Sequence, residues 1–337
     1  MRKIDLFNHI FPPGYFERFM QVAPGFKDIG KRMRGIPMLS DLDVRFRVMD
    51  GFDEYEQVLS LPTPPIEVFA SGNDAVDLAR AANDGMAELV EGHRDRFPGF
   101  VASLPLGDAD AAVRELERAL DDLGARGFQM FSNVQGKPIT APEFLPLFEA
   151  VERRGLPIWL HPYRGADFSD YKTEDRSQFE IWWTFGWPYD TSAAMARVVF
   201  AGYFDRFPAL KIITHHMGAM APYFEGRVGP GWDQLGARTS DTDYAVVLKA
   251  LKKRPIDYFK MFYADTALFG AYDATVCGLN FFGADRVVFA SDAPFDPEKG
   301  PMYIRETMAI VDRLPISREE RERIYSGNAI ALLQLKN

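Results

Sequence analysis

Eight short, mostly apolar segments that alternate with amphipathic stretches constrain the fold of this 337-residue chain more than any other feature. Apolar residues recur at helical spacing between the segments. The alternation predicts an α/β protein with a parallel sheet. The predicted strands are residues 3–9, 56–61, 97–104, 127–131, 156–161, 210–214, 259–265 and 286–292. The predicted helices are residues 73–96, 108–123, 141–154, 189–206, 244–253, 302–313 and 318–333, with another beginning near residue 219.

Eight strand-and-helix units over this length favour a closed (β/α)8 barrel, a TIM barrel, over an open doubly wound sheet. No Gly-x-Gly-x-x-Gly motif follows a predicted strand, which weakens the dinucleotide-binding alternative. We expect one domain over residues 1–337, with residues 15–55 and 163–190 as insertions over the barrel mouth. Catalytic groups in such barrels collect at the carboxyl ends of the strands.

Composition narrows the class of ligand. Hydrophobic residues make up 47% of the chain, yet no segment approaches the roughly 20 apolar residues of a membrane span. The N-terminus lacks the pattern of a secretory signal, so we expect a cytoplasmic protein. A net charge of −9 disfavours nucleic acid and anionic membranes as partners, which leaves a small molecule as the expected ligand. Cys277 is the single cysteine, so an internal disulfide is excluded and we expect this side chain to be packed.

Histidines are rare in the chain but concentrate at predicted strand ends. The chain has five, and His9, His161 and the adjacent pair His215 and His216 each follow or end a strand, as does Asp292. Such nitrogen and oxygen donors, brought together by a barrel, suit zinc, manganese or iron. Each could instead be an ordinary hydrogen-bonded residue, as expected for His93 in its charged stretch. If the strand continues through the tandem pair, only one of its two rings can face inward.

Several motifs, in their order along the chain, resemble those of the amidohydrolase-related decarboxylases. This family includes aminocarboxymuconate-semialdehyde decarboxylase and γ-resorcylate decarboxylase. The motifs are residues 4–9 (IDLFNH), 43–50 (DVRFRVMD), 94–99 (RDRFPG), 103–106 (SLPL), 160–162 (LHP), 214–227 and 289–295. The resemblance covers nearly the whole chain and implies a TIM barrel of the metal-dependent hydrolase type.

The resemblance implies a role for each matching site residue. His9, His161 and Asp292 are expected to hold one divalent metal ion, with zinc expected first and manganese or iron as alternatives, and no organic cofactor is implied. His216 matches the family's acid–base histidine, whereas its neighbour His215 replaces a small residue and either supports the site or packs.

Two arginines match positions that hold substrate carboxylates in the aminocarboxymuconate-semialdehyde branch. These are Arg45 and Arg227, the second of which reaches across a dimer interface in that branch. A guanidinium group suits a carboxylate because it donates two parallel hydrogen bonds. The alternative for Arg45 is a surface ion pair with Asp41 or Asp43.

One departure from the family pattern concerns the first strand. The family usually carries His-x-His or Glu-x-His there, whereas this chain has Phe7 before His9. Phenylalanine cannot bind a metal ion, so three protein ligands remain, which suffices for a catalytic metal. Asp5 lies on the same predicted strand face and could compensate.

The rest of the pocket is predicted from residues 163–164 and from the aromatic run at 182–189. Rings over a barrel mouth suit a planar aromatic or conjugated acid, with Arg164 and Trp187 as substrate contacts. The alternative for Trp182 and Trp183 is a dimer interface.

The sequence therefore predicts a metal-dependent, non-oxidative decarboxylase of a hydroxylated aromatic or conjugated carboxylic acid. One alternative is a metal-dependent hydrolase or hydratase that acts on a C–C, amide or lactone bond. Another is a degenerate partner subunit of a hetero-oligomer, which the replacement at Phe7 suggests. We expect a homodimer or higher homo-oligomer otherwise.

Overall fold

The computed structural model of the chain describes residues 1–27 and 29–335. Each of the eight predicted strands is present, although several are shorter than predicted. Near the mouth, side chains replace part of the regular ladder: the Thr266 hydroxyl, for example, bonds both the amide and the carbonyl of Ala290. The strands are β1 (Lys3–His9), β2 (Tyr55–Ser60), β3 (Gly99–Phe100), β4 (Phe128–Phe131), β5 (Asn133–Val134), β6 (Lys137–Pro138), β7 (Pro157–His161), β8 (Lys211–Thr214), β9 (Tyr263–Asp265) and β10 (Val287–Val288).

Parallel strands β1–β4 and β7–β10 form the barrel, and β5 and β6 form a small antiparallel hairpin outside it. Continuous hydrogen bonding between neighbouring strands forms two sheets, with the strand orders β1-β2-β3 and β4-β7-β8-β9-β10. A bridge between Ala102 and Phe128 joins these sheets at one seam, and a bridge between Asn8 and Ala293 joins them at the other. The predicted (β/α)8 barrel is confirmed.

All but one of the predicted helices are present, although those expected over residues 189–206 and 318–333 are each divided in two, and the helices Pro255–Phe259 and Tyr272–Phe282 were not predicted. The helix expected to begin near residue 219 is replaced by consecutive turns over residues 216–224, because Met217, Gly218 and Ala219 adopt left-handed backbone angles. The α-helices are α1 (Tyr15–Val22), α2 (Ile29–Met33), α3 (Leu42–Met49), α4 (Gly72–Gly92), α5 (Ala109–Asp121), α6 (Leu145–Arg154), α7 (Trp187–Phe200), α8 (Tyr203–Arg206), α9 (Ala245–Ala250), α10 (Pro255–Phe259), α11 (Tyr272–Phe282), α12 (Pro301–Arg313), α13 (Arg318–Glu322) and α14 (Asn328–Leu333).

Two long connections carry extra structure. Helices α1 to α3 lie between β1 and β2, and a segment ending in the π-helical turn Trp182–Gly186 lies between β7 and α7. Within residues 1–27 and 29–335, no helix has the length and hydrophobicity needed to cross a bilayer.

Apolar side chains form two buried cores. The larger lies between the strands and the surrounding helices and includes Leu78, Leu116 and Phe148. The smaller fills the barrel interior with side chains such as Ile4 and Trp159 and is continuous with α14. This interior is packed with side chains, so a ligand can bind only at the mouth of the barrel.

Arg45 on α3 contradicts both expectations held for it. Its side chain is fully buried, so it forms no surface ion pair with the neighbouring aspartates. Its guanidinium donates hydrogen bonds to the carbonyl oxygens of Met38 and His9 and to the side-chain oxygens of Asn8 and Gln57. Burial lowers the pKa of Arg45 to about 10, so it stays charged at neutral pH. We therefore correct the substrate-binding prediction: Arg45 ties α3 to strands β1 and β2.

Replacing this buried cation should destabilise the fold. Arg45→Met leaves several buried oxygens without donors, so we expect the free energy of unfolding to fall by roughly 3 kcal/mol or more. Arg47→Met, on the exposed side of the same helix, should change it by less than about 0.5 kcal/mol. Urea unfolding followed by circular dichroism compares the two variants. Equal effects would show that the buried hydrogen bonds contribute nothing specific.

Candidate metal centre and active site

Five strands end in polar side chains that meet at the barrel mouth. His9 ends β1, His161 ends β7 and Asp265 ends β9, whereas His215 and Asp292 follow β8 and β10. Four of these side chains are less than 3% exposed, and Asp292 is 7% exposed. Burial of so many polar groups in one place requires that each be paired or bind a ligand.

The tandem histidines both face this cluster. Strand β8 stops at Thr214, and His216 and Met217 then adopt left-handed angles with φ of 56° and 55°. The alternation expected of a continuous strand is therefore broken, and the rings of His215 and His216 lie side by side with centroids 3.8 Å apart.

Asp292 lies at the centre of the histidines. Its Oδ1 atom lies 3.0 Å from Nε2 of His9 and 3.4 Å from Nε2 of His215. Its Oδ2 atom lies 3.7 Å from Nε2 of His216. Asp292 itself has a left-handed φ of 63°, a conformation that ordinary side chains adopt only when their surroundings enforce it.

Hydrogen bonds from the barrel fix the outer nitrogen of two rings. Nδ1 of His161 donates to the carbonyl oxygen of Pro162 over 2.7 Å, and Nδ1 of His9 lies 3.2 Å from the Ser60 hydroxyl. Such contacts orient an imidazole and select its tautomer, as in metal-ligating histidines. Nε2 of each ring is therefore directed to the cluster.

Asp265 fixes the third ring, His215. Its Oδ2 atom accepts from Nδ1 of His215 over 2.5 Å, and its Oδ1 atom accepts from the amides of His216 and Ala267 over 3.0 Å each. This carboxylate therefore sets both the His215 ring and the turn that carries His216. The sequence reading missed it, although Asp265 ends its strand as the other cluster residues do.

Asp5, the proposed substitute ligand on β1, is directed elsewhere. Its carboxylate accepts hydrogen bonds from the Tyr55 hydroxyl over 2.5 Å and from the amide and hydroxyl of Ser291. The pairing of β1 with β2 is irregular between Asp5 and Asn8, which breaks the expected common face with His9. We correct this expectation: Asp5 supports the strand that carries Asp292.

Protonation in the cluster fits a cation site. Burial and the neighbouring imidazoles lower the pKa of His161 well below its usual range and also lower that of His216. Against the cost of burial, the neighbouring side chains of His215, His216 and His9 hold the pKa of Asp292 well below its usual range. Burial likewise disfavours charge on His215, yet Asp265 and Asp292 raise its pKa to about 9. A divalent metal requires neutral imidazole and ionised carboxylate, so His161 and Asp292 are already in the binding form, whereas His215 would release a proton when a cation binds.

A cavity of about 660 Å³ opens above the cluster, which is large enough for a single-ring acid. His9, His161 and Asp292 form part of its wall, and Trp187 also lines it, as predicted. The other lining residues include several aromatic and cationic side chains that the sequence reading missed or did not assign to substrate. These are Lys31, Arg32, Arg176, Phe179, Phe269, Phe295 and Tyr303. Trp182 and Trp183, from the aromatic run predicted to form the pocket, also line it.

The predicted arginines lie outside this lining. Arg164 pairs with Asp190 over 3.2 Å, and its guanidinium lies 4.9 Å from the Phe168 ring. Arg227 is exposed on a π-helical turn, with its guanidinium 5.9 Å from the Phe224 ring. The expected role of Arg227 in a second subunit stays a prediction.

His216 lies one layer behind the cavity wall. Its side chain is 12% exposed, and its ring centroid lies 5.4 Å from that of Phe269, which lines the cavity. Nε2 of His216 has no hydrogen-bond partner among the described residues. A buried neutral imidazole with an unpartnered nitrogen beside a carboxylate can accept and return a proton.

Comparison with known proteins agrees with this geometry. A family model described as amidohydrolase matches residues 31–335. The γ-resorcylate decarboxylase of Polaromonas sp. strain JS666 is 32% identical over 305 residues, which cover 88% of this chain and 89% of that protein. The 2-amino-3-carboxymuconate-6-semialdehyde decarboxylase of Dictyostelium discoideum is 30% identical over 297 residues, 88% of this chain and 77% of that protein.

A solved structure matches equally well. The dihydroxybenzoic acid decarboxylase of Polaromonas sp. JS666, with bound manganese and the inhibitor 2-nitroresorcinol, superposes with a TM-score of 0.80 at 29% identity. The match covers 99% of this chain and 97% of that one. These findings confirm the resemblance that the motifs indicated, and the chain belongs to the amidohydrolase family.

Proposed function

We propose that this protein is a metal-dependent, non-oxidative decarboxylase of a hydroxylated aromatic or conjugated carboxylic acid. The observation that carries the proposal is the cluster of three buried histidines and Asp292 at the base of an aromatic-lined cavity. Similarity to decarboxylases of dihydroxybenzoic and carboxymuconate-type acids supports it. The cavity volume fits one aromatic ring with its substituents.

His9, His161 and Asp292 are the proposed holders of the metal. All three line the cavity, so a metal there is accessible to substrate. We propose zinc as the resident ion because imidazole and carboxylate donors suit it, with manganese, present in the solved relative, as the alternative. When bound, a divalent metal supplies a Lewis acid that holds substrate oxygens and stabilises negative charge.

His216 is the proposed proton carrier. Its lowered pKa leaves it neutral at neutral pH, so it can accept a proton from a substrate hydroxyl or from water. The bond between the substrate carbon and its carboxylate then breaks, CO₂ leaves, and the electron pair left on carbon takes the proton from His216. Asp292, 3.7 Å from the His216 ring, stabilises the protonated imidazole electrostatically.

Aromatic and cationic side chains of the cavity are proposed to bind the substrate. Trp187 faces His161 with ring centroids 5.8 Å apart, which suits contact with a planar ring. Burial, together with the charge of Asp292, raises the pKa of Tyr303 to about 12, so its hydroxyl stays protonated and can donate to a substrate oxygen. Lys31 and Arg32 supply positive charge for a carboxylate, the task first assigned to Arg45.

The two other arginines that were predicted to bind substrate, Arg164 and Arg227, have different proposed roles. Arg164 positions the wall because its carbonyl accepts a hydrogen bond from Nε1 of Trp187 over 3.1 Å. Arg227 is exposed, as a residue that enters the site of a second subunit would be. We propose a homodimer on this basis.

The assay that tests the function uses purified, metal-loaded protein and a panel of hydroxybenzoates. We expect CO₂ release with recovery of the corresponding phenol. Incorporation of ¹⁸O from labelled water into the organic product, without CO₂, would instead identify the hydrolase. Activity of the purified single chain would also exclude the partner-subunit hypothesis.

Loss of the proton carrier should reduce turnover without loss of metal. We expect His216→Gln to lower kcat by about 100-fold to 10,000-fold, the usual contribution of a positioned acid–base group. Elemental analysis should give the wild-type metal content. The control His93→Gln alters a histidine that packs against Phe46, far from the cluster in sequence and structure. Full activity of His216→Gln would exclude the proposed role.

Loss of a cavity-lining ligand should instead reduce metal content. His161→Ala removes a nitrogen that its bond to Pro162 has already oriented, so we expect inductively coupled plasma analysis to find less metal per chain. Chelation of the wild-type protein should abolish CO₂ release, and added Zn²⁺ or Mn²⁺ should restore it. Unchanged metal content in His161→Ala would overturn the proposed centre.

A further inference from the structure

We propose that His215 is a fourth protein ligand of the metal and supplies the donor that Phe7 on β1 cannot. This inference rests on the proposed metal centre and extends it to a set of three imidazoles and one carboxylate. The two side chains are direct neighbours: the ring of Phe7 stacks on that of His215, with centroids 4.1 Å apart and planes inclined by 19°.

Distances within the cluster fit one shared ion. One ring nitrogen from each of His9, His161 and His215 lies within 4.8 Å of the other two. Oδ1 of Asp292 lies 3.0 Å from Nε2 of His9 and 3.4 Å from Nε2 of His215. Donors bound to one zinc ion at about 2.0–2.1 Å stand roughly 3–4 Å apart, so small ring movements bring all four into range, and a five-coordinate ion would keep one position open for a substrate oxygen.

The unpartnered nitrogen of His215 points to a ligand independently. Its side chain is fully buried, and within the described parts of the chain Nε2 has no hydrogen-bond partner. Leaving a buried nitrogen unpaired costs about 1–3 kcal/mol, which a bound cation would offset. Because Nδ1 of His215 bonds to Asp265, Nε2 is the ring nitrogen whose lone pair can bind a metal ion. Metal-bound histidines usually have such a partner on the other ring nitrogen.

Phe7 shows why the donor comes from β8. Its ring is fully buried and faces the cluster, with its centroid 6.1 Å from His161 as well as 4.1 Å from His215. A side chain at position 7 therefore reaches the metal site, but the phenyl ring present here has no lone pair to bind the ion. His215 lies two residues after the interior residue Ile213 and therefore reaches the same place from β8, three strands away from β1 around the barrel.

X-ray absorption of the Zn²⁺-loaded wild-type protein tests the inference without substrate. We expect outer-shell scattering from three imidazoles. His215→Phe should leave two, whereas His216→Gln should leave three. Two imidazoles in the wild type, or three in His215→Phe, would overturn the proposal.

Exchange of the two stacked rings provides a second test. We expect the Kd for Zn²⁺ to rise by at least about 100-fold in His215→Phe, because loss of an outer partner alone costs about 10–100-fold. The double variant Phe7→His, His215→Phe should recover much of the lost affinity. The control His93→Gln should leave the Kd for Zn²⁺ unchanged. If His215→Phe binds Zn²⁺ as tightly as the wild type, His215 is not a metal ligand. If the double variant recovers no affinity, His215 does not replace a donor at position 7.

Metal binding and catalysis are separable in these experiments. A chain that binds zinc through three imidazoles but releases no CO₂ from any acid would reject the proposed decarboxylase and keep His215 as a ligand.

Discussion

Closure of the barrel between its first and last strands is the constraint on which the site depends. Hydrogen bonds from the amide of His9 to the carbonyl of Ala293, and from the amide of Asp292 to the carbonyl of Phe7, join the two strand ends. They bring together side chains that are 283 residues apart in the sequence. The buried carboxylate of Asp5 strengthens the same seam through Ser291. Without this closure, the cluster would lose its central aspartate.

Strand ends were predictable because barrel geometry leaves little choice about where they meet. Alternating apolar segments placed His9, His161 and Asp292 at one mouth, and the structure brings their side chains together there. The orientation of His216 was not predictable, since it depends on the sign of φ at His216, which sequence periodicity does not encode. The same left-handed turn removed the helix expected near residue 219.

Burial of polar residues was the other feature that sequence could not supply. The motif around Arg45 looked like an exposed or substrate-facing arginine, and only tertiary packing shows that four protein oxygens occupy its guanidinium. Asp265 was overlooked for the converse reason: a lone aspartate at a strand end has many ordinary explanations. Its three hydrogen bonds across β8 and β9 distinguish it.

The cationic residues that line the cavity have a consequence for the rate at which an anion would reach it. The chain carries a net charge of −9, so its average field repels an anionic acid. Lys31, Arg32 and Arg176 outnumber the carboxylates Glu180 and Asp292 in the lining of the cavity, so the charge there is opposite in sign to that of the whole chain. Salt screens such an interaction over a Debye length of about 10 Å at 0.1 M. An anionic acid that binds in this cavity would therefore be captured more slowly as the ionic strength rises, whatever reaction follows.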